Sequence, residues 1–502
     1  ETVAALLAEA ALDVPAATSV TMQSEGLCLV YGRDDTAIEA ARQLSSRLDV
    51  TMLLRDPGEI LPPRVMEVPI FRGRIAAIGG HLGAFEIVVD DYAPATVSSR
   101  DALAFEPPRD GAASRCDLIL DLTGEAPLVP APEKRDGYYR ADPGDPAAVQ
   151  RALFELADMV GEFEKPRYVA YDPGLCAHSR SGKTGCTRCL DVCPASAIRP
   201  DGDVVAIDPY LCGGCGGCSS VCPTGAASYA MPPVAAVLER LRTLLGAFHD
   251  GGGANPVLLV HDSRHGEEVI ALAARHGRGL PAAVLPFAVN ETTQIGFDFL
   301  AAAFAYGAVR VVLMVPPARH DELTGLAGQV GLAEAVLDGL GYGSGGVEVL
   351  VESDPEALEA ALYDRPARTG AVPSRFLPLG EKRTVTRLAL DHLHAKAPTP
   401  VDLLPLAPGA PFGAVKVDAD GCTLCLACVG ACPTGALRDN EERPQLSFVE
   451  DACIQCGLCR NTCPESVISL TPRIDFTSAA KRAAVMKEEE PFECIRCGKP
   501  FG

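Results

Sequence analysis

The sequence predicts a chain of mixed class, α/β plus α+β, in which two domains of alternating strands and helices are interleaved with two small cysteine-rich modules. Three observations carry this. Twenty cysteines stand among 502 residues, and sixteen of them crowd into Cys176–Cys222 and Cys422–Cys463. Apolar runs of strand length alternate with helix-length stretches before the first cysteine segment and between the two. The composition is globular, 48% hydrophobic and 22% charged, and the length suits about three domains.

Residues 1–160 open with a strand at Leu27–Tyr31, a helix at Asp35–Leu48 and a strand at Val50–Leu54, which is a βαβ unit. The first turn, Gly32-Arg33-Asp34-Asp35-Thr36-Ala37, keeps only one glycine of the G-x-G-x-x-G pattern. Two aspartates stand where a pyrophosphate would approach the backbone. The region therefore reads as a Rossmann-like scaffold with a degenerate nucleotide motif. Gly79, Gly80 and Gly83 mark a hairpin or a sheet crossover, and Cys28 and Cys116 read as buried strand thiols. Residues 165–232 form the first cysteine-rich module. Residues 233–363 alternate strands (Val257–His261, Ala283–Pro286, Val309–Val315, Val347–Val351) with helices near 265–277, 292–306, 320–340 and 355–363, the pattern of an open, mostly parallel sheet. His261, His265 and His276 are singletons expected at surfaces or helix ends. Residues 364–415, with Arg365, Arg368, Arg375, Lys382, Arg383 and Arg387, read as a linker with one helix near 381–396. Its basic side chains are expected in solvent or against an acidic partner. Residues 416–473 form the second cysteine-rich module. In the tail, 474–502, Cys494-x2-Cys497 is either half of a zinc site that a further tail or another subunit would complete, or part of a mobile, metal-free terminus.

The second module reads Cys422-x2-Cys425-x2-Cys428-x3-Cys432-Pro433, then Cys453-x2-Cys456-x2-Cys459-x3-Cys463-Pro464. This is the ferredoxin-type run in duplicate. Three cysteines on one tight loop reach three corners of an iron–sulfur cube, and the fourth leads away and ligates the other cube. The assignment is Cys422, Cys425, Cys428 and Cys463 for one cluster, and Cys453, Cys456, Cys459 and Cys432 for the other. Zinc would use two C-x2-C pairs and has no role for a third cysteine two residues on. In the first module, Cys212-x2-Cys215-x2-Cys218-x3-Cys222-Pro223 is regular, whereas Cys186-x2-Cys189-x3-Cys193-Pro194 lacks its leading cysteine: position 183 is Lys183. A Gly-containing polar insert before Cys186 can fold back and deliver Cys176. That gives Cys176, Cys186, Cys189 and Cys222 to one cluster, and Cys212, Cys215, Cys218 and Cys193 to the other. A three-iron cluster with Cys176 as a core thiol is the alternative, and His178 is either a substitute ligand or a hydrogen-bond donor nearby.

Formal charge is 44 − 66 = −22, which repels phosphate backbones and argues against a nucleic-acid partner. The most apolar run, Phe299–Pro317, is broken by Arg310 and reads as a helix followed by a strand, not a membrane span. No Ser/His/Asp set or phosphate loop stands out. The expected role is electron transfer through four 4Fe–4S clusters within a complex of redox proteins, in the cytoplasm, and not catalysis by the chain alone.

The two quartets are similar to those of 2×(4Fe–4S) ferredoxins. The order of parts, with Pro166-Arg167-Tyr168-Val169 leading into the first module and the stretch Gly73–Ile87, resembles the flavin-containing subunit of heterodisulfide reductases. That resemblance implies a flavin-dependent oxidoreductase component, but the missing glycine motif puts FAD in doubt. The middle α/β domain resembles the flavodoxin-like delta subunit of methyl-viologen-reducing hydrogenases, without its cluster cysteines. The string Cys176–Cys186 and the ending Cys494–Gly502 resemble long proteobacterial 4Fe–4S binding proteins associated with formate dehydrogenases. That similarity implies formate dehydrogenase as a partner, with a redox or maturation role.

Overall fold

The computed structural model describes residues 1–502 except 367, 494, 497–499 and 502. Cys494 and Cys497, the expected zinc half-site, lie outside the described residues.

The N-terminal region is built on a seven-stranded mixed sheet. Its spatial order is Ala112–Cys116, Phe85–Pro94, Ile70–Gly79, Asp49–Leu54, Leu27–Gly32, Leu118–Asp121, Tyr138–Arg140. The expected βαβ unit is present: Leu27–Gly32 and Asp49–Leu54 pair in parallel, joined by the helix Asp35–Leu44. That helix buries Ala37, Ala40, Ala41 and Leu44 on the sheet and ends earlier than Leu48. Gly80 and Gly83 form the turn between the antiparallel strands Ile70–Gly79 and Phe85–Pro94. Both glycines have positive φ, and a Cβ on Gly83 would lie 1.8 Å from the Gln23 carbonyl oxygen, so only glycine fits there. Cys28 and Cys116 are buried in this sheet.

The second α/β region is a four-stranded parallel sheet in the order Val284–Val289, Val257–Asp262, Arg310–Met314, Val347–Leu350. The apolar run splits as expected into the helix Phe297–Ala305 and the strand Arg310–Met314. Among the described residues, no helix is long and apolar enough to cross a membrane. His261 is buried at the end of its strand, with Nδ1 donating to the Asp262 carbonyl at 3.0 Å; it is not the surface residue expected. The long helix Val234–Asp250 buries Val237, Leu238, Leu241, Leu244, Leu245 and Phe248 along one face. The first helix of the chain, Thr2–Ala10, packs on it, with Arg240 Nε donating to Glu9 at 2.5 Å.

The expected linker helix runs Lys382–Ala395 and buries Val385, Thr386, Ala389, Leu390 and Leu393, largely against Phe297–Ala305. Of its basic neighbours Arg375 is exposed as expected, but the others are turned inward. Arg368 donates to the carbonyls of Val309, Tyr342 and Gly343, Lys382 to those of Ser219 and Ser220, and Arg383 to those of Pro411, Asp451 and Cys453. These cations seal seams between regions because many separate carbonyls there need donors.

Each cysteine-rich region is a small α+β unit. The first pairs Val169–Tyr171 with Ala227–Tyr229 and Ile198–Asp201 with Val204–Ile207. The second pairs Gly413–Val417 with Ile468–Asp475 and Leu437–Arg438 with Gln445–Phe448.

Candidate metal centres

The regular cysteine runs share one backbone pattern. In Cys-x-x-Cys-x-x-Cys, the residues two and four places after the first cysteine have positive φ: Gly214 and Gly216, Leu424 and Leu426, Gln455 and Gly457. This left-handed alternation curls the loop so that three side chains converge on its concave side. The short helices Gly217–Val221, Ala427–Ala431 and Leu458–Thr462 follow, each carrying the third cysteine. The run with Lys183 in place of cysteine lacks the pattern, since neither Gly185 nor Thr187 has positive φ.

In the second module the thiols gather as two crossed sets. Cys422, Cys425, Cys428 and Cys463 line one enclosed space, walled by Val417, Leu424, Leu426, Leu446 and Ile468. Cys432, Cys453, Cys456 and Cys459 line the other, walled by Val415, Phe448, Ile454, Leu458 and Leu470. Each set takes three thiols from one run and the fourth from the other.

The first module repeats this. Cys189 feels the charges of Cys222, Cys186 and Cys176. Cys218 feels Cys215, Cys212 and Cys193. Cys176 is buried beside these thiols, with the Tyr171 hydroxyl against it. The residues Pro173–Leu175 form a single tight turn that delivers it. His178 is also buried, and its Nδ1 is occupied by the Cys186 carbonyl at 3.0 Å; it stands beside the set as a hydrogen-bonding neighbour.

The donor chemistry fits a cluster. All eighteen described cysteines are unbridged. Burial, then neighbouring thiols, push Cys456 up to about 11 and Cys459 up to about 12. Burial likewise raises Cys189 to about 12 and places Cys218 well above the ordinary thiol range. Such thiols bind as thiolates only when metal replaces their protons. In the second module each quartet lines a space with apolar walls, the setting an iron–sulfur cube needs. Nearby donors are in place: Gln455 offers N–H at 3.5 Å and Nε2 at 3.4 Å to Cys453 Sγ, and Ala227 N–H lies 3.5 Å from Cys222 Sγ.

Two contributors escaped the sequence reading. Lys134, from the N-terminal region, lies over the Cys212–Cys215 loop, where a Cβ on Gly213 would fall 2.6 Å from Lys134 Cβ. Its side chain is 2% exposed and pairs with Glu322 of the parallel-sheet region. Arg383 reaches the Cys453 carbonyl from the linker helix at 2.6 Å. Neither carries a local signal, because both meet their loops only through tertiary packing.

Elsewhere, Asp34 caps its own helix by accepting from Thr36 N–H at 3.0 Å, filling the helix end where a dinucleotide's phosphate would bind. A cavity of about 640 Å³ lies between the N-terminal region and the first module. Its buried cations are already engaged: Lys165 with Asp136 at 2.6 Å and the Tyr210 carbonyl at 2.8 Å, Arg135 with the carbonyls of Gly80 and Ala195.

Residues 421–468 match a 4Fe-4S dicluster domain family, and residues 184–226 match a second 4Fe-4S dicluster domain family. No curated protein matches the chain. The matches span all eight cysteines of the second module and seven of the first, beginning after Cys176.

Proposed function

We propose that this chain is an electron-transfer subunit holding four 4Fe–4S clusters and relaying single electrons between two partner proteins. The presence of two 4Fe-4S dicluster domains supports the electron-transfer role. The observation that carries the count is the gathering of sixteen thiols into four sets of four. When bound, each cluster supplies a one-electron couple whose potential answers to hydrogen bonds, burial and nearby charge. Cys176, Cys186, Cys189 and Cys222 would hold one cluster, and Cys193, Cys212, Cys215 and Cys218 its neighbour. Cys432, Cys453, Cys456 and Cys459 would hold the third, and Cys422, Cys425, Cys428 and Cys463 the fourth. The apolar walls exclude water from the thiolates, and the amides of Ala227 and Gln455 stabilise them. The resemblance to long 4Fe–4S proteins makes a cytoplasmic formate dehydrogenase the first partner to test.

Anaerobic purification with iron, sulfide and EPR analysis tests this reading. About sixteen irons per chain are expected. Cys176→Ser should remove an iron or a whole cluster while leaving the other three signals. Colourless protein would refute the proposal, and a bound flavin would redirect it toward a heterodisulfide-reductase-like role.

A further inference from the structure

The segment that breaks the first cysteine motif also builds the seam between the two modules. Ser179–Arg180 and Lys183–Thr184 pair as a small hairpin, with Ser181 and Gly182 at positive φ in its turn. The hairpin is anchored at its base: Gly185 N–H donates to the His178 carbonyl at 2.7 Å, and Cys186 N–H to the Ala177 carbonyl at 3.0 Å. Its outer edge meets Leu458–Thr462, the helix that carries Cys459 of the second module. Asn461 Nδ2 donates to the Thr184 carbonyl at 2.8 Å. A Cβ on Gly185 would sit 2.5 Å from Leu458 Cγ, and Leu458 is fully buried. Beside the hairpin, Arg188 Nη2 donates to the Gly409 carbonyl at 2.8 Å, tying the first module to the segment that leads into the second.

The consequence lies in the flanking residues. Cys186 directly follows Gly185, and Cys456 lies two residues before Leu458. The close approach at Gly185 therefore sets these two cysteines, one from each module, opposite each other. Cys456 is near enough to feel the charge of Cys186. In a regular motif position 183 would itself be a ligand, and no hairpin would project there.

We infer that the 177–185 insert is an internal docking element that joins the two modules into one electron path, crossing between them at Cys186 and Cys456. The inference rests on the electron-transfer reading above. The path then has an order: the Cys212 set, the Cys176 set, the Cys453 set, the Cys422 set. The crossing makes and breaks no bond. One electron leaves the Cys176 side, which is oxidised by one, and arrives at the Cys453 side, which is reduced by one, or the reverse. The external reductant is a low-potential one-electron donor.

Gly185→Val tests this in the full chain, since its side chain drives into Leu458 and must push the hairpin away. Flash reduction by a photoexcited deazaflavin, followed optically and by rapid-freeze EPR, reads the equilibration of electrons between modules. We expect at least a tenfold slower exchange with iron content unchanged. Hydrogen exchange at residues 178–186 should accelerate about tenfold in Gly185→Val. Should Gly185→Val fail to fold, Asn461→Ala gives the same two readouts with smaller changes. Exchange between fully loaded modules at the wild-type rate would overturn the path. Unchanged hydrogen exchange would overturn the docking role. Wild-type protein lacking iron would instead overturn the electron-transfer reading, leaving the docking contact to be judged by hydrogen exchange alone.

Discussion

Arg383 offers the sharpest test of how the linker helix holds the second module. Its Nε and Nη2 donate to the Asp451 carbonyl at 3.1 and 2.8 Å, Nη2 to the Cys453 carbonyl at 2.6 Å, and Nη1 to the Pro411 carbonyl at 3.2 Å. The guanidinium also lies 5.0 Å from the centre of the Phe412 ring. Burial, with Arg387 alongside, pushes the group down to about 9, so it remains charged at neutral pH and its hydrogen bonds are charge-assisted. In Arg383→Ala the Asp451 carbonyl keeps Arg387 Nη2 at 3.1 Å, while the Cys453 and Pro411 carbonyls lose their guanidinium donor. Each stranded buried carbonyl costs about 1–3 kcal/mol, and the lost ring contact adds about 1 kcal/mol. Together these give a local destabilisation of roughly 3–7 kcal/mol, which loss of a buried charge offsets in part, toward the lower end. Arg383→Lys keeps the charge but cannot span three carbonyls, so it should fall between, at about 1–3 kcal/mol. Unfolding of a multidomain chain is not two-state, so the assay is native-state hydrogen exchange at Asp451–Gln455. A loss of ~3 kcal/mol corresponds to exchange faster by on the order of a hundredfold. Protection altered less than tenfold in Arg383→Ala would refute the clamp.

Three further outcomes follow from the same structure. Gly83→Ala should cost about 3 kcal/mol, from ~1–2 kcal/mol for a left-handed non-glycine plus the collision with the Gln23 carbonyl; calorimetry should show the N-terminal transition lowered by roughly 6–12 °C. His261 is held below the ordinary imidazole range chiefly by burial, against Asp262 and Glu267. The folded state therefore binds fewer protons than the unfolded one, and stability rises with pH up to about 6.5 and falls on acidification below it. His261→Asn should flatten the difference between pH 5.5 and 7.5 in the urea transition of the parallel-sheet region, followed separately from the others, and an unchanged difference would exclude His261 as a contributor. Lys134→Met removes a buried cation facing the Cys212–Cys215 loop. It should lower one midpoint potential by up to ~100 mV, taking ~2 kcal/mol for a charge roughly 8 Å away at an effective dielectric of ~20. EPR-monitored titration reads it, and four unmoved potentials would rule out the electrostatic role.

What was legible in the sequence was what is encoded locally. The regular cysteine runs prescribe their own loops, because a three-residue repeat with left-handed corners needs no distant partner to converge. The βαβ opening and the division of Phe299–Pro317 were likewise readable, since strand alternation and helix length are local. The helix Val234–Asp250 carries a local signal of the same kind, apolar residues three and four apart. The rest was not written locally. Nothing near Thr2–Ala10 says that it packs on a helix far along the chain. Nothing in the run from Arg365 to Arg387 distinguishes solvated charge from charge aimed at buried carbonyls. The insert before Cys186 showed that the motif was broken, but not what the break builds.

The placement of cations completes the physical picture. The chain is strongly acidic overall, yet its thiol sets are met by positive charge: Lys134 and Lys165 near Cys212, Arg188 near Cys186, Arg383 near Cys453 and Lys487 near Cys422. Thiolate quartets around an iron–sulfur core carry net negative charge, which grows on reduction, so a cation beside each offsets the cost of burying them. Lys134 and Arg383 come from other regions of the chain, so their effect depends on the regions staying docked, whereas Lys165 stands at the start of the first module itself. Lys487 is only partly exposed and pairs with Glu489 at 2.9 Å, and its set includes the exposed Cys425. The electrostatics of the Cys212 and Cys453 sets are thus set in large part by side chains that other regions of the fold bring to them.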